Sequence, residues 1–186
     1  MSGWSTRSVG SAVADDRAEA DRPARPGRAG TVSVLAAVVV IVDQVSKHWA
    51  VNRLSGGRVV EVVGDLHFAL TWNTGASFSL GEGRNLGPLI AVLALGVVAW
   101  LLRSGHSRTI PGAVAAGLVA GGAIGNLVDR AFRSGPAGAP SGFMGGAVVD
   151  FIALPWWPTF NVADSAVVVG AILLVFATWR EGDGDG

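Results

Sequence analysis

Thr31-Val-Ser-Val-Leu-Ala-Ala-Val-Val-Val-Ile-Val42 is an apolar run that passes directly into Asp43-Gln44-Val-Ser-Lys47-His48-Trp49-Ala50. Arg22, Arg25 and Arg28 precede it, so the run alone has the make-up of a signal-peptide apolar region. No small-residue cleavage site follows. Extended to Ala50, the stretch supplies the roughly twenty residues of a membrane span, provided that its outer end is polar. We read residues 31–50 as the first of several spans.

The whole chain agrees with that reading. Half of its 186 residues are apolar, the mean hydropathy is +0.47, and the apolar residues gather in long runs, as in a membrane protein. Fourteen basic side chains balance fourteen acidic ones, leaving no electrostatic footprint for nucleic acid. The absence of cysteine removes disulfides, thiol nucleophiles and thiolate metal sites. His48, His67 and His106 lack metal-ligand spacing, so neither a metal nor another cofactor is expected.

Further spans are expected over residues 86–102, 110–130 and 161–179, giving an α-helical integral membrane protein with four transmembrane helices. The third carries Gly117, Gly121, Gly122 and Gly125, small residues that suit a central, closely packed helix. Residues 51–85 alternate apolar and polar positions, which predicts a small extracytoplasmic sheet or hairpin on the membrane surface. Residues 1–30 read as a disordered polar extension, 131–147 as a Gly/Pro-rich loop and 181–186 as an acidic tail. Arg22, Arg25, Arg28, Arg103, Arg108 and Arg180 fall on the side of the termini, against Arg53, Arg58, Arg84, Arg130 and Arg133 opposite, which favours cytoplasmic termini.

Given that topology, helical rise puts Asp43 and Lys47 roughly 18 and 24 Å from the inner end of span 1, and Asn126 to Arg130 roughly 24 to 30 Å along span 3. Span 4 runs the other way, with Asn161 and Asp164 in its first turn. All three spans thus deliver polar residues to one outer layer. The spacings are i,i+3 or i,i+4, so each set shares a helix face, and ionisable residues within spans face a bundle interior or a wet pocket rather than lipid. The bland reading is structural: Asp43 with Lys47, and Asp129 with Arg130, as salt bridges binding helices. It is weaker for Asp150 and Asp164, which lack basic sequence neighbours and bracket Trp156-Trp157-Pro158. Asn73 and Gly75, just before span 2, read either as a turn or as an amide and backbone offered to an extended peptide.

Four blocks, Asp43-Gln44-Val-Ser-Lys47, Asn73-Thr-Gly75-Ala76-Ser-Phe78, Gly122-Ala-Ile-Gly125-Asn126-Leu-Val-Asp129-Arg130, and Val149-Asp150-Phe151 with Phe160-Asn161-Val-Ala163-Asp164-Ser165, together resemble the lipoprotein signal peptidase (signal peptidase II) family over about residues 31–180. The resemblance implies a four-helix aspartyl endopeptidase of the bacterial cytoplasmic membrane. Such an enzyme cuts diacylglyceryl-modified prolipoproteins before the lipidated cysteine, working as a monomer in contact with membrane lipid. It makes Asp150 and Asp164 the catalytic dyad, and Asp43, Lys47, Asn73, Gly75, Asn126, Asp129, Arg130 and Asn161 the residues that support the site or hold substrate. The segment between Arg130 and Asp150 is longer than in the family's pattern.

Two neighbouring carboxylates suffice for peptide hydrolysis when one stays protonated to polarise the carbonyl and the other deprotonates water. Asp164, at a helix N-terminus that favours an anion, is the expected base. A rival reading is a small ion or proton transporter relaying protons through the same aspartates. A relay needs charge across the whole depth, whereas the inner halves of these spans carry none.

Overall fold

The computed structural model describes residues 28–74, 87–104, 109–136 and 145–182. In chain order they form helix α1 (Ala29–Leu54), strands β1 (Val59–Val63) and β2 (Leu66–Asn73), helices α2 (Gly87–Ser104) and α3 (Ile110–Phe132), strands β3 (Val148–Leu154) and β4 (Trp157–Phe160), and helix α4 (Val162–Gly182).

Helix α1 overruns the expected 31–50 span at both ends. Its start takes in the end of the N-terminal segment read as disordered, of which residues 1–27 lie outside the described residues. Its last turn takes residues expected in the sheet, because Ala50 and Leu54 are fully buried against Val149 and Phe151. Trp49, Phe68 and Phe151 close this junction edge to face, with ring centroids 5.5, 6.2 and 5.9 Å apart, a geometry worth about 0.5–1.5 kcal/mol per pair beyond burial.

Helix α3 starts on a Thr109 cap, whose hydroxyl accepts the Gly112 N–H, with a proline at the head of the helix. It is the central helix, packed against α1, α2 and α4. Its glycines permit this: a Cβ on Gly121 would stand 2.6 Å from Val39 Cβ of α1, and one on Gly122 would overlap the Ala163 carbonyl oxygen of α4. Outward, α1 and α4 present Val34, Ile41, Val45, Ile172, Val175 and Phe176 in the open. Apolar surface of that extent is unsuited to water and fits lipid. Both α1 and α3 are long and apolar enough to cross a membrane.

The sheet is antiparallel in the order β1-β2-β3-β4. It therefore joins two hairpins from opposite sides of α2 and α3, and is larger than the hairpin expected within residues 51–85; residues 75–85 of that range lie outside the described residues. Gly64, at φ +55°, turns the first hairpin. In the β2–β3 pairing Thr71 faces Asp150 and Trp72 faces Val149. Strand β3 is buried along nearly its whole length, so Val148 to Leu154 carries no period-two pattern and resembles any apolar run. Strand β1 is the reverse, exposed at every residue.

Candidate active site

Strand β3 and helix α4 each bring one carboxylate to the seam between sheet and bundle. Asp150 is 2% exposed. Its Oδ2 accepts a hydrogen bond from Asn73 Nδ2 at 3.1 Å, and its Oδ1 one from Asn161 Nδ2 at 2.7 Å. Asp164 and Asn161 cap the start of α4 reciprocally: the Asp164 N–H donates to Asn161 Oδ1 (2.9 Å) and the Asn161 N–H to Asp164 Oδ2 (3.2 Å). This is the capping-box arrangement with an Asn/Asp pair. Asn126 Nδ2 donates to Asp164 Oδ1 (2.8 Å), while its own Oδ1 accepts from Asn161 Nδ2 (3.2 Å). Two asparagine amides thus tie the two carboxylates into one network.

Behind them lies a buried charge cluster centred on Lys47. Its ammonium reaches Asp43 Oδ2 (2.8 Å), Asp129 Oδ2 (2.9 Å) and Asn126 Oδ1 (3.0 Å), and all three ionic side chains are fully buried. Each aspartate also grips an element that carries one of the two carboxylates, Asp150 or Asp164. Asp43 Oδ1 accepts the Ala163 N–H (3.0 Å), one of the free amides at the head of α4 and adjacent to Asp164. Asp129 Oδ2 accepts the Val149 N–H (3.1 Å), adjacent to Asp150. Gly125 is needed here, because a Cβ would lie 2.7 Å from Asp43 Oδ2. Among the described residues no buried side-chain nitrogen or oxygen lacks a partner, as such a cluster requires.

Burial, and after it the negative charge of Asp164, push the Asp150 carboxyl up to about 7, against the opposing pull of the Asn73 and Asn161 amides and the Lys47 charge. A carboxyl in that range is part protonated near neutrality, which suits proton donation.

The structure brings Asp43, Lys47, Asn73, Asn126, Asp129, Asp150, Asn161 and Asp164 together in one network. Gly75 lies outside the described residues. The Asp43–Lys47 pair forms, but Asp129 pairs with Lys47 and with Arg133 Nε (2.8 Å) rather than with its sequence neighbour Arg130. Consecutive helix residues point about 100° apart, whereas i,i+4 residues share a face. Arg130 instead turns to the Gly146 carbonyl (3.4 Å). Two participants were not anticipated. Gln44 donates to Asp43 Oδ2, the Gly125 carbonyl and Asp129 Oδ1, and Arg133 donates to both Asp129 and Gln44. The i,i+4 spacing of Asp129 and Arg133 was the available signal. No group of three or more His, Asp or Glu among the described residues is arranged to hold a metal ion.

A family model described as Signal peptidase (SPase) II matches residues 35–180. The chain belongs to the signal peptidase II family. It is 47% identical over 147 residues to the lipoprotein signal peptidase of Rhodococcus jostii, covering 78% of this chain and 70% of that one. To the lipoprotein signal peptidase of Mycolicibacterium smegmatis it is 43% identical over 166 residues, covering 88% and 67%. A solved bacterial membrane enzyme superposes with a TM-score of 0.69 at 27% identity, over 85% of this chain and 93% of that one. This signal peptidase II family member is a membrane protein, and the matched range contains every residue of the network just described.

Proposed function

We propose that the chain is an aspartyl endopeptidase that removes the signal peptide of diacylglyceryl-modified prolipoproteins, cutting before the lipidated cysteine, with Asp150 as acid and Asp164 as base. The observation that carries this is the pair itself. Two carboxylates from separate elements share the Asn161–Asn126 network, and one of them is lifted to about 7. Asp164 takes a proton from water as the water attacks the scissile carbonyl carbon. Asp150 gives its proton to the carbonyl oxygen, forming a gem-diol; as the C–N bond breaks, the proton held by Asp164 passes to the leaving amine and Asp150 takes a proton back from a gem-diol hydroxyl. The Asn161 N–H and the Asn126 amide both donate to the Asp164 carboxylate and hold it in place.

In this reading all four helices cross the bacterial cytoplasmic membrane with cytoplasmic termini, residues 31–180 being the peptidase domain, and the sheet lies on the outer face. The enzyme works as a monomer in this reading. Among the described residues the buried charged groups, Asp43, Lys47, Asp129, Arg130 and Asp150, gather at the sheet end of the bundle, which favours a surface peptidase over a proton relay through the membrane. A lipid-anchored substrate can reach such a site sideways with its acyl chains still in the bilayer. The exposed, edge-to-face Trp156 and Trp157 fit the interface beside it.

The direct test is purified enzyme in micelles with a synthetic precursor, with and without the diacylglyceryl group. Only the lipidated precursor is expected to be cut, with the modified cysteine as the new N-terminus by mass spectrometry; equal cleavage of both would reject the substrate class. The pH profile supplies a second check. Activity falls as pH rises through about 7, where Asp150 loses its proton. In Asn73→Ala an amide that favours the Asp150 anion is gone, so the carboxyl holds its proton longer and the basic limb of kcat moves to higher pH. A basic limb that stays in place or moves down would remove Asp150 from the role of acid.

A further inference from the structure

The passage from α3 into β3 is fastened at two places. At the first, Gly146 lies against the last turn of α3. Its N–H donates to the Arg130 carbonyl (3.0 Å), and a Cβ there would stand 2.5 to 2.8 Å from the carbonyl oxygens of Asp129, Arg133 and Arg130. At the second, Asp129 Oδ2 holds the Val149 N–H. Asp150 is the next residue, so the direction of the Asp129 carboxylate bears on where Asp150 sits.

That carboxylate is under competing demands. Lys47 shares Oδ2 with the Val149 amide and also serves Asp43, so Lys47 alone would leave the plane of Asp129 free to turn about the shared oxygen. What fixes the plane is the other oxygen. Oδ1 receives Arg133 Nε at 2.8 Å and Gln44 Nε2 at 3.2 Å, and Arg133 Nη2 donates in turn to Gln44 Oε1 at 3.2 Å. Arg133, Gln44 and Asp129 close a triangle in which the guanidinium fork satisfies two acceptors at once, something a lysine's point charge does poorly. Arg133 stands just past the end of α3, where its own N–H is tied to the Asp129 carbonyl (2.8 Å). Its side chain is partly exposed, at 22%.

We propose that Arg133, acting with Gln44, is a positioning residue for Asp150: the pair locks the Asp129 carboxylate so that its second oxygen sets the backbone of β3 one residue before the acid of the dyad. The inference rests on Asp150 being that acid, and one of its readouts does not depend on activity. In Arg133→Ala, amide hydrogen exchange at Val149 is expected to rise about tenfold. With lipidated precursor kcat falls about tenfold while KM stays within twofold, because the acid is displaced and the substrate's binding surface is not. Arg133→Lys recovers less than half of the loss. Millimolar guanidinium restores Arg133→Ala, since the missing group sits where solvent can reach it, and a purely structural defect would not respond. Arg58→Ala, at an exposed turn whose side chain serves only the Ser55 carbonyl among the described contacts, is the silent control. Unchanged exchange at Val149, or a loss of activity that only tracks the loss of folded protein and ignores guanidinium, overturns the proposal. Faster exchange in a chain whose wild type cuts no lipidated precursor would instead leave the brace standing and reject the assigned reaction.

Discussion

Asp150→Asn and Asp164→Asn are each expected to lower kcat by about a thousandfold or more, from general acid–base contributions of about 10²–10⁴ apiece, and the two differ in stability. Asparagine keeps the shape of either side chain but neither takes nor gives the proton. At Asp150 both oxygens accept amide hydrogen bonds, from Asn73 and Asn161, and an asparagine retains one acceptor, so one of the two bonds is lost. At Asp164 the cost is larger, because the carboxylate also caps α4 by accepting the Asn161 N–H and holds the Asn126 amide. Losing a cap costs about 1 kcal/mol. Thermal unfolding in detergent should therefore rank wild type above Asp150→Asn and Asp150→Asn above Asp164→Asn. The reverse order would mean that Asp164 is not the anion holding the helix.

The second large effect is on folding. Lys47→Met removes the cation shared by Asp43, Asp129 and Asn126. Asp129 keeps Arg133, but Asp43 is left a buried anion with only the Gln44 amide and the Ala163 N–H. Breaking a buried pair from one side costs about 3–5 kcal/mol, read as a fall of roughly 10 °C in unfolding midpoint for a chain of this size. Activity drops as well, since Asn126 loses a donor and hands the disturbance to Asp164. Lys47→Met combined with Asp43→Asn should recover part of the stability, because the stranded charge is gone. A Lys47→Met protein as stable as wild type would show that the cluster is not ionic.

The helices were legible because apolar length and small-residue spacing have one cheap solution in a bilayer, and Gly121 and Gly122 sit where close packing needs them. The convergence of Asp43, Lys47, Asn126 and Asp164 followed from helical rise applied to the expected four-span topology. Strand β3 was not legible, since burial on both faces erases the alternation that marks a strand, and its partner β2 is remote in sequence, with Asn73 and Asp150 77 residues apart. The pairing of Asp129 was misread for a different reason: sequence adjacency suggested Arg130, while helical geometry selects the i,i+4 Arg133. Backbone partners such as the Val149 and Ala163 amides leave no mark in side-chain identity, so only the fold reveals that two buried acids anchor the two elements that carry Asp150 and Asp164.

Asp150 and Asp164 are proposed to act as one unit on a lipidated precursor. The measurement that meets this proposal head-on is cleavage of diacylglyceryl-modified prolipoprotein by Asp150→Asn/Asp164→Asn, followed by the mobility shift of signal-peptide loss. Residues working as a unit are non-additive, so the double variant should be no slower than the slower single variant and should show no shift on the timescale of wild-type turnover. A double variant that processes the precursor at an appreciable fraction of the wild-type rate would contradict the account.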